Sequence, residues 1–536
     1  MAVTVTFHGA CGTVTGACFE VRTGSSAVLI DCGMFQGTKT IKALNYGAFP
    51  FTPASINAVV LTHAHVDHCG LIPKLTVAGF AGNVFATPGT GDLLTYVLPD
   101  SGYIQETEVD RLNRRNRQRG IKAVEPIYTR EIAEASLRRI RPKPYDSWFE
   151  PAPGIAARFW DAGHILGSAS VELRIDDGAG KPPITLLFSG DVGPGDKAFQ
   201  SEPTAPRDVD FVVMESTYGD RVRARRTNEQ RRHILAKELH AALRRGGLIL
   251  IPAFAIERTQ ELLFDFDALF DSGQLPKLPV FVDSPLAIRA TEVFGKHLHA
   301  ATMTNGTHAF KRDNLHFVEA VEDSKKLNRL RGGAIVMAGS GMCDAGRIRH
   351  HLKAHLGQPD TTVILVGYQA PGTLGRLLHG GQSMVRIHGE EIAVAATIRM
   401  LDEYSGHADQ RRLVAWLKDR LPVRHDVFLV HGEDGARDTL GAELGRAGIE
   451  RRRIRLPVMG ETVKLSKKDG ARTVRVRAGV DIAAAERDWH NLYAQTTLAL
   501  KQKLSGLRRD EDRAALLRQV SSVLAPPTKG KSRRKN

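Results

Sequence analysis

The 536-residue sequence predicts an α/β protein whose β-rich first unit is interrupted by a second α/β unit and which ends in a helical extension. Three observations carry that expectation. Short apolar runs between turn residues fill the first two hundred positions, a strand–helix alternation runs from about 206 to 380, and β-rich runs return after 380.

In the first stretch, VTVTFHG, CFEVRT, AVLIDCG, INAVVLTHAH, GNVFATP, AARFWDAGH, VELRID and ITLLFSGD each read as a strand bounded by Gly, Pro or Asp. A helical interruption is expected near residues 99–140, where the arginines of RLNRRNRQRG either solvate a helix face or touch nucleic acid. In the second stretch Thr227 and Gln230 form a T-x-x-Q capping box and Gly246-Gly247 a stop, framing a helix over 227–245. LILIPAF, PVFVDSP, GAIVMAGSG and TTVILVGYQ are short apolar strands of a mostly parallel, buried sheet. After 380, VRIHGEEIAVAATI and HDVFLVHGED resume the style of the first part, so the chain is expected to return and complete the first domain. From 466, Trp489, Leu492, Tyr493, Thr496, Leu500, Leu504 and Leu507 recur at helical spacing; such a stripe docks onto the body or onto a second subunit, as in a homodimer. APPTKGKSRRKN reads as a basic disordered tail. The expected divisions are therefore 1–205 and 381–465 for one domain, 206–380 for the insert and 466–536 for the extension.

Hydrophobic residues make up 42% and charged residues 25% of the chain, the proportions of soluble globular protein. The surplus of Lys and Arg (74) over Asp and Glu (59) gives a net charge of +15, which makes a polyanionic partner plausible. Five cysteines without a CxxC pair argue against a disulfide framework and for a reducing compartment. With no secretory signal at the N-terminus and no apolar run of membrane-spanning length, the expected location is cytoplasmic, with no membrane partner.

The densest chemical signal is LTHAHVDHCG at 61–70. Each imidazole brings two polar nitrogens that need partners when buried, so three histidines and an aspartate in six residues imply a bound group. His63 and His65, two apart in an extended turn, face the same way and suit one metal; the adjacent Asp67 and His68 suit a second beside it. Imidazole plus carboxylate favours zinc, with manganese or iron as alternatives. The bland reading is a chance cluster satisfied by local hydrogen bonds. Further candidates follow other β runs: His164 in FWDAGHILG, Asp191 in LLFSGDVG, where it could bridge both ions, and His431 in FLVHGED. Asp31, ending AVLIDCG, reads as an acceptor that fixes an imidazole tautomer.

H-x-H-x-D-H followed by a strand-end His and Asp resembles the metallo-β-lactamase fold, an αββα sandwich, and in particular its β-CASP branch, which inserts a second α/β domain before the last ligand. Asp31, then His63, His65, Asp67 and His68, then His164 and Asp191 match the four metallo-β-lactamase motifs; Glu215, His407 in YSGHADQ and His431 match the three extra β-CASP motifs. The resemblance covers about residues 3–465. It implies two zinc ions per subunit, or manganese, held by His63, His65, Asp67, His68, His164, Asp191 and His431. It implies a catalytic set of His407, Glu215, Asp67 and Asp31, with His407 as general acid oriented by Glu215. A histidine at 431 sides with the RNA-cleaving members, while DNA remains an alternative substrate. The expectation is a zinc-dependent ribonuclease acting on single-stranded RNA, endonucleolytic in preference to exonucleolytic, similar to bacterial and archaeal relatives of the mRNA 3′-end cleavage nuclease. Ser340, Gly341 and Arg347 in GSGMCDAGR, with Arg376 in VGYQAPGTLGR, are candidates to hold a downstream phosphate. The rival readings are a small-molecule metallohydrolase and a metal-free RNA-binding scaffold.

Overall fold

Period-two alternation of side chains builds the centre of the protein. Along Ala58–Val60, Ala58 and Val60 face one core while Val59 faces another; along Phe211–Glu215, Phe211 and Val213 face inward while Val212 and Met214 face outward. The computed structural model describes residues 2–524 apart from 119, 177–181, 196, 198–199, 301–307, 370–371, 478–499, 501–502, 505 and 508. Chain contacts separate residues 1–482 from 483–536.

Two mixed sheets stack face to face within the first unit. The first runs Gly470–Val476, Glu461–Ser466, Val3–Phe7, Phe19–Arg22, Ala27–Ile30, Ala58–Val60, Asn83–Ala86, Ile140–Pro142. The second runs Ile454–Arg455, Val427–Val430, Phe211–Glu215, Ile184–Phe188, Ala169–Ile175, Ile155–Asp161, Phe149–Ala152. Between them lies an apolar layer in which the Phe7 and Phe428 rings stand 5.4 Å apart and Phe19 and Phe188 5.8 Å apart. Helices Ile72–Val77 and Pro88–Gln118 cover the outer face of the first sheet, and Gln410–Lys418 with Asp434–Arg446 cover the second, giving four layers.

A third sheet, Leu315–Phe317, Val280–Val282, Ile335–Ala338, Ile249–Pro252, Thr362–Val366, Thr397–Leu401, is parallel throughout. Its central strands Ile249–Pro252, Ile335–Ala338 and Thr362–Val366 are buried along their whole length, as helices on both faces require. Helix Asn228–Arg245 begins with a complete capping box between Thr227 and Gln230 and ends at Gly246 in the left-handed conformation, φ +82°. Replacing Thr227 with Ala should cost about 1 kcal/mol, read as a lower urea midpoint with unchanged helical circular dichroism.

Four boundaries differ from the sequence reading. Phe211–Glu215 pairs with Ile184–Phe188 and Val427–Val430, so the first domain continues beyond 205. Thr397–Leu401 joins the third sheet beside Thr362–Val366, and Met384–Ile387 with Glu390–Ala393 forms a separate hairpin, so the insert continues past 380. Gly470–Val476 is an edge strand on Glu461–Ser466, where a helical extension was expected. The run at 385–398 was legible as β, but strand propensity does not name a strand's partner; Phe211–Glu215 and Gly470–Val476 were not read as strands. The early helix runs from Pro88 through Pro99 to Gln118, with a shorter one over Arg130–Ser136.

In the second unit, helix Asp510–Leu524 opens with Asp510, Glu511 and Asp512, favourable charges at the positive end of its dipole. Most of the expected amphipathic stripe, including Trp489, Leu492, Tyr493 and Thr496, lies outside the described residues, as does the basic tail. No described helix is long and apolar enough to cross a membrane.

Candidate metal centre

The site gathers at one end of the stacked sheets because each candidate follows a strand. Asp31 leaves Ala27–Ile30, His63 to His68 leave Ala58–Val60, and His164 leaves Ile155–Asp161; Asp191 leaves Ile184–Phe188, Glu215 ends Phe211–Glu215, and His431 leaves Val427–Val430. The turns there are sharp: Asp31 and His431 sit at φ +62° and +48°, in the left-handed region uncommon for their residue types. Close backbone approach locks the turns together. A Cβ on Gly33 would stand 1.6 Å from the Asp67 carbonyl oxygen, and Cys32 N–H donates to His68 O at 2.8 Å.

Two groups of donors share Asp191. His63 Nε2, His65 Nδ1 and His164 Nε2 converge, with His65 Nδ1 3.1 Å from His63 Nε2 and 3.2 Å from His164 Nε2; Asp191 Oδ2 is 3.6 Å from both Nε2 atoms. Alongside, His68 Nε2 and His431 Nε2 are 3.2 Å apart, Asp67 Oδ2 is 3.6 Å from His431 Nε2, and Asp191 Oδ1 is 3.4 Å from His68 Nε2.

The opposite edges of the rings decide which nitrogen faces inward. His63 Nδ1–H donates to Thr62 Oγ1 at 3.0 Å, and that hydroxyl donates to Asp31 Oδ2 at 2.9 Å. His68 Nδ1–H donates to Asp31 Oδ2 at 2.7 Å, His164 Nδ1–H to Gly406 O at 2.7 Å, and His431 Nδ1–H to Thr217 Oγ1 at 3.1 Å. With those protons committed, the inward nitrogens are lone pairs facing lone pairs, an arrangement that only a cation or an added proton makes favourable. The spacing fits a metal: two ligands about 2.0–2.1 Å from a tetrahedral zinc stand about 3.3 Å apart. Asp191 Oδ1, buried and without a hydrogen-bond donor among the described residues, is the acceptor such an ion would satisfy. The two clusters together form a dinuclear site.

Electrostatics agrees. Burial pushes the His65 imidazole down to about 4 and holds His63 and His164 well below their ordinary range, leaving three neutral donors. Burial opposes charge on His68 too, but Asp191 and Asp31 outweigh it and hold that ring well above its usual value. Burial would lift the Asp191 carboxyl; His431, His68 and His407 overcome it and keep it ionised. The cluster calls for positive charge, which a metal supplies while displacing the His68 proton.

His407 and Glu215 stand at the rim. Glu215 Oε1 accepts from Val192 N–H at 2.6 Å, and His407 Nδ1 approaches Glu215 Oε1 and Oε2 at 3.3 and 3.2 Å. The His407 side chain is 19% exposed, and its ring stands 4.5 Å from that of His164.

The expected phosphate loop is arranged differently. Ser340 Oγ accepts from the backbone of Asp344 and Ala345, and Gly341 is pressed on the Phe254 ring, where a Cβ would come within 2.5 Å. Arg347 is engaged by Asp283 Oδ1 at 2.6 Å, Val318 O and Glu319 O. Ser340 thus closes its own loop, and Arg347 ties it to Asp283 and to the Val318–Glu319 segment. Arg376 is exposed on helix Leu374–His379. The sequence reading missed Thr62, Thr217 and the Gly406 carbonyl. Thr62 and Thr217 carried a faint signal, one residue before His63 and two after Glu215. Replacing Asp31 with Asn should weaken metal affinity roughly 10- to 100-fold, measured by chelator competition, since an amide cannot accept from both Thr62 and His68 as the carboxylate does.

Stacked sheets with a dinuclear His/Asp site at their edge define a metallo-β-lactamase-type protein, and residues 11–209 match the metallo-beta-lactamase superfamily. Residues 259–378 match the Beta-Casp domain and 391–453 the Zn-dependent metallo-hydrolase RNA specificity domain. The chain is 37% identical over 462 residues to Ribonuclease TTHA0252 of Thermus thermophilus, an alignment covering 85% of this chain and 98% of that one. It is 31% identical over 435 residues to an RNase J-like protein of Methanocaldococcus jannaschii, covering 80% and 93%. It is 30% identical over 449 residues to the transcription termination factor FttA of Methanosarcina mazei, covering 81% and 67%. The protein belongs to the β-CASP branch of the metallo-β-lactamase superfamily.

Proposed function

We propose that this protein is a zinc-dependent ribonuclease that cuts single-stranded RNA internally, in RNA processing or decay. The observation that carries the reading is the pair of lone-pair clusters sharing Asp191, set in a chain whose relatives are named ribonucleases and whose 391–453 segment matches an RNA specificity domain. The basic surplus of +15 suits a phosphate backbone.

His63, His65, His164 and Asp191 would hold one ion, and Asp67, His68, His431 and Asp191 the other. Bound there, such a pair brings the pKa of water toward about 7 and neutralises a phosphate. Asp31 and Thr62 orient His63 and His68, Thr217 orients His431, and the Gly406 carbonyl orients His164. Cleavage leaves a sugar oxygen that needs a proton. His407, anchored through Nδ1 on Glu215, delivers that proton from Nε2 as general acid.

The test is digestion of 5′-end-labelled single-stranded RNA by zinc- or manganese-loaded protein, with nitrocefin and a thioester assayed in parallel. Internal fragments at the earliest times are expected, abolished by EDTA. Release of mononucleotides from the outset would replace internal cutting with exonucleolysis. Turnover of nitrocefin or the thioester with RNA left intact would make the protein a small-molecule hydrolase.

A further inference from the structure

A cavity of about 280 Å³ lies beside the loop that carries His407. Ser405 and Asp409, on either side of that histidine, line one wall, and Val222 to Arg226 line the other. Hydrogen bonds fasten the walls together. Gln410 donates from its backbone N–H to Arg221 O at 2.9 Å and from Nε2 to Gly219 O at 2.7 Å, and Arg223 N–H donates to Asp409 Oδ2 at 2.8 Å. The Arg223 guanidinium crosses to the carbonyls of Asp402 and His407. None of the residues in the two donor clusters lines this space, so it is distinct from the metal centre.

Charge sets the cavity apart. Six of its lining side chains are basic and three are acidic. Some of that charge is already matched. Asp265 holds Arg231 through contacts of 2.8 and 3.1 Å, Glu261 holds Lys197 at 3.2 Å, and Glu403 holds Arg226 at 3.3 Å. Asp409 commits its two oxygens to the backbone N–H groups of Arg223 and Arg412. Arg223 and Arg225 are different: among the described residues neither pairs with a carboxylate. Arg223 rests on the two carbonyls and over the Tyr218 ring, 4.9 Å away, and Arg225 is exposed. Against these two guanidiniums the walls offer one uncommitted carboxylate among the described residues, that of Asp402. A concave surface with a surplus of one sign focuses its field and gathers counter-ions, and the planar fork of arginine matches the oxygens of a phosphate.

We propose that this cavity is a phosphate-binding site in which Arg223 and Arg225 hold the anion, either a phosphate of the RNA strand or a free phosphate. The strand alternative rests on the ribonuclease reading above. An anion between the walls adds a further tie between them, at the loop whose His407 carbonyl Arg223 already holds.

Zinc-loaded parent and Arg225→Met are compared by isothermal titration with inorganic phosphate and by RNA cleavage. Phosphate held by the metals binds both proteins alike, so the difference between them reads the cavity. Expected is phosphate binding roughly tenfold weaker in Arg225→Met, with Arg225→Lys, which keeps a charge without the fork, in between. If the occupant is a strand phosphate, Arg225→Met also raises KM for single-stranded RNA roughly tenfold at unchanged kcat. If it is a free phosphate, KM measured without added phosphate stays parental. Equal phosphate affinity in parent and Arg225→Met overturns the proposal, whatever KM does. Should Arg225→Met fail to fold, Arg225→Lys carries the same comparison. A parent that cuts no RNA sinks the ribonuclease reading instead, and the phosphate titration still decides the site.

Discussion

Asp191→Ala is expected to strip metal from both halves of the site and to abolish RNA cleavage. Asp191 is the one side chain common to the two clusters, its Oδ2 3.6 Å from His63 and His164 and its Oδ1 3.4 Å from His68. It is also the buried negative charge against which these imidazoles are balanced. Breaking a buried charge pair costs about 3–5 kcal/mol, which is roughly two to four orders of magnitude in metal affinity. Equilibrium dialysis followed by elemental analysis should find well under one ion per chain where the parent holds two. The fold should survive, since the apolar layer between the sheets does not include Asp191. Retention of two ions by Asp191→Ala would remove the carboxylate from its bridging place.

His407→Ala separates chemistry from metal binding. His407 belongs to neither donor cluster; it stands beside them, its Nδ1 3.2 Å from Glu215 Oε2 and its side chain partly exposed. The variant should keep the parental metal content and lose roughly 10²- to 10⁴-fold in cleavage, the range for a positioned general acid. An RNA whose leaving oxygen is replaced by sulfur, which departs without a proton, should recover much of that loss. Cleavage of ordinary RNA at the parental rate would remove His407 from the acid role.

The contrast between what the chain displays and what it conceals follows from physical distance along it. Four donors sit within 63–68: the two-residue spacing pairs His63 with His65, while Asp67 and His68 fall on the helical turn Val66–Cys69; His164, Asp191 and His431 are each legible as a polar residue ending a β run. The groups that aim them are not. Thr62 and Thr217 carry ordinary hydroxyls, Gly406 contributes only a carbonyl, and each becomes meaningful only once loops from different strands meet. The same limit applies to the sheets. MVRIHGEEIAVAATI looks like more of the first domain, yet it forms a hairpin and then leads into a parallel edge strand of the insert, because alternation shows which faces are buried and not against what.

The most direct measurement is an anomalous-difference map of crystals grown from zinc-loaded protein. Two peaks are predicted, one among His63, His65, His164 and Asp191 and the other among Asp67, His68, His431 and Asp191. A map without density at either position, from protein that zinc and manganese both fail to activate on RNA, would contradict the account.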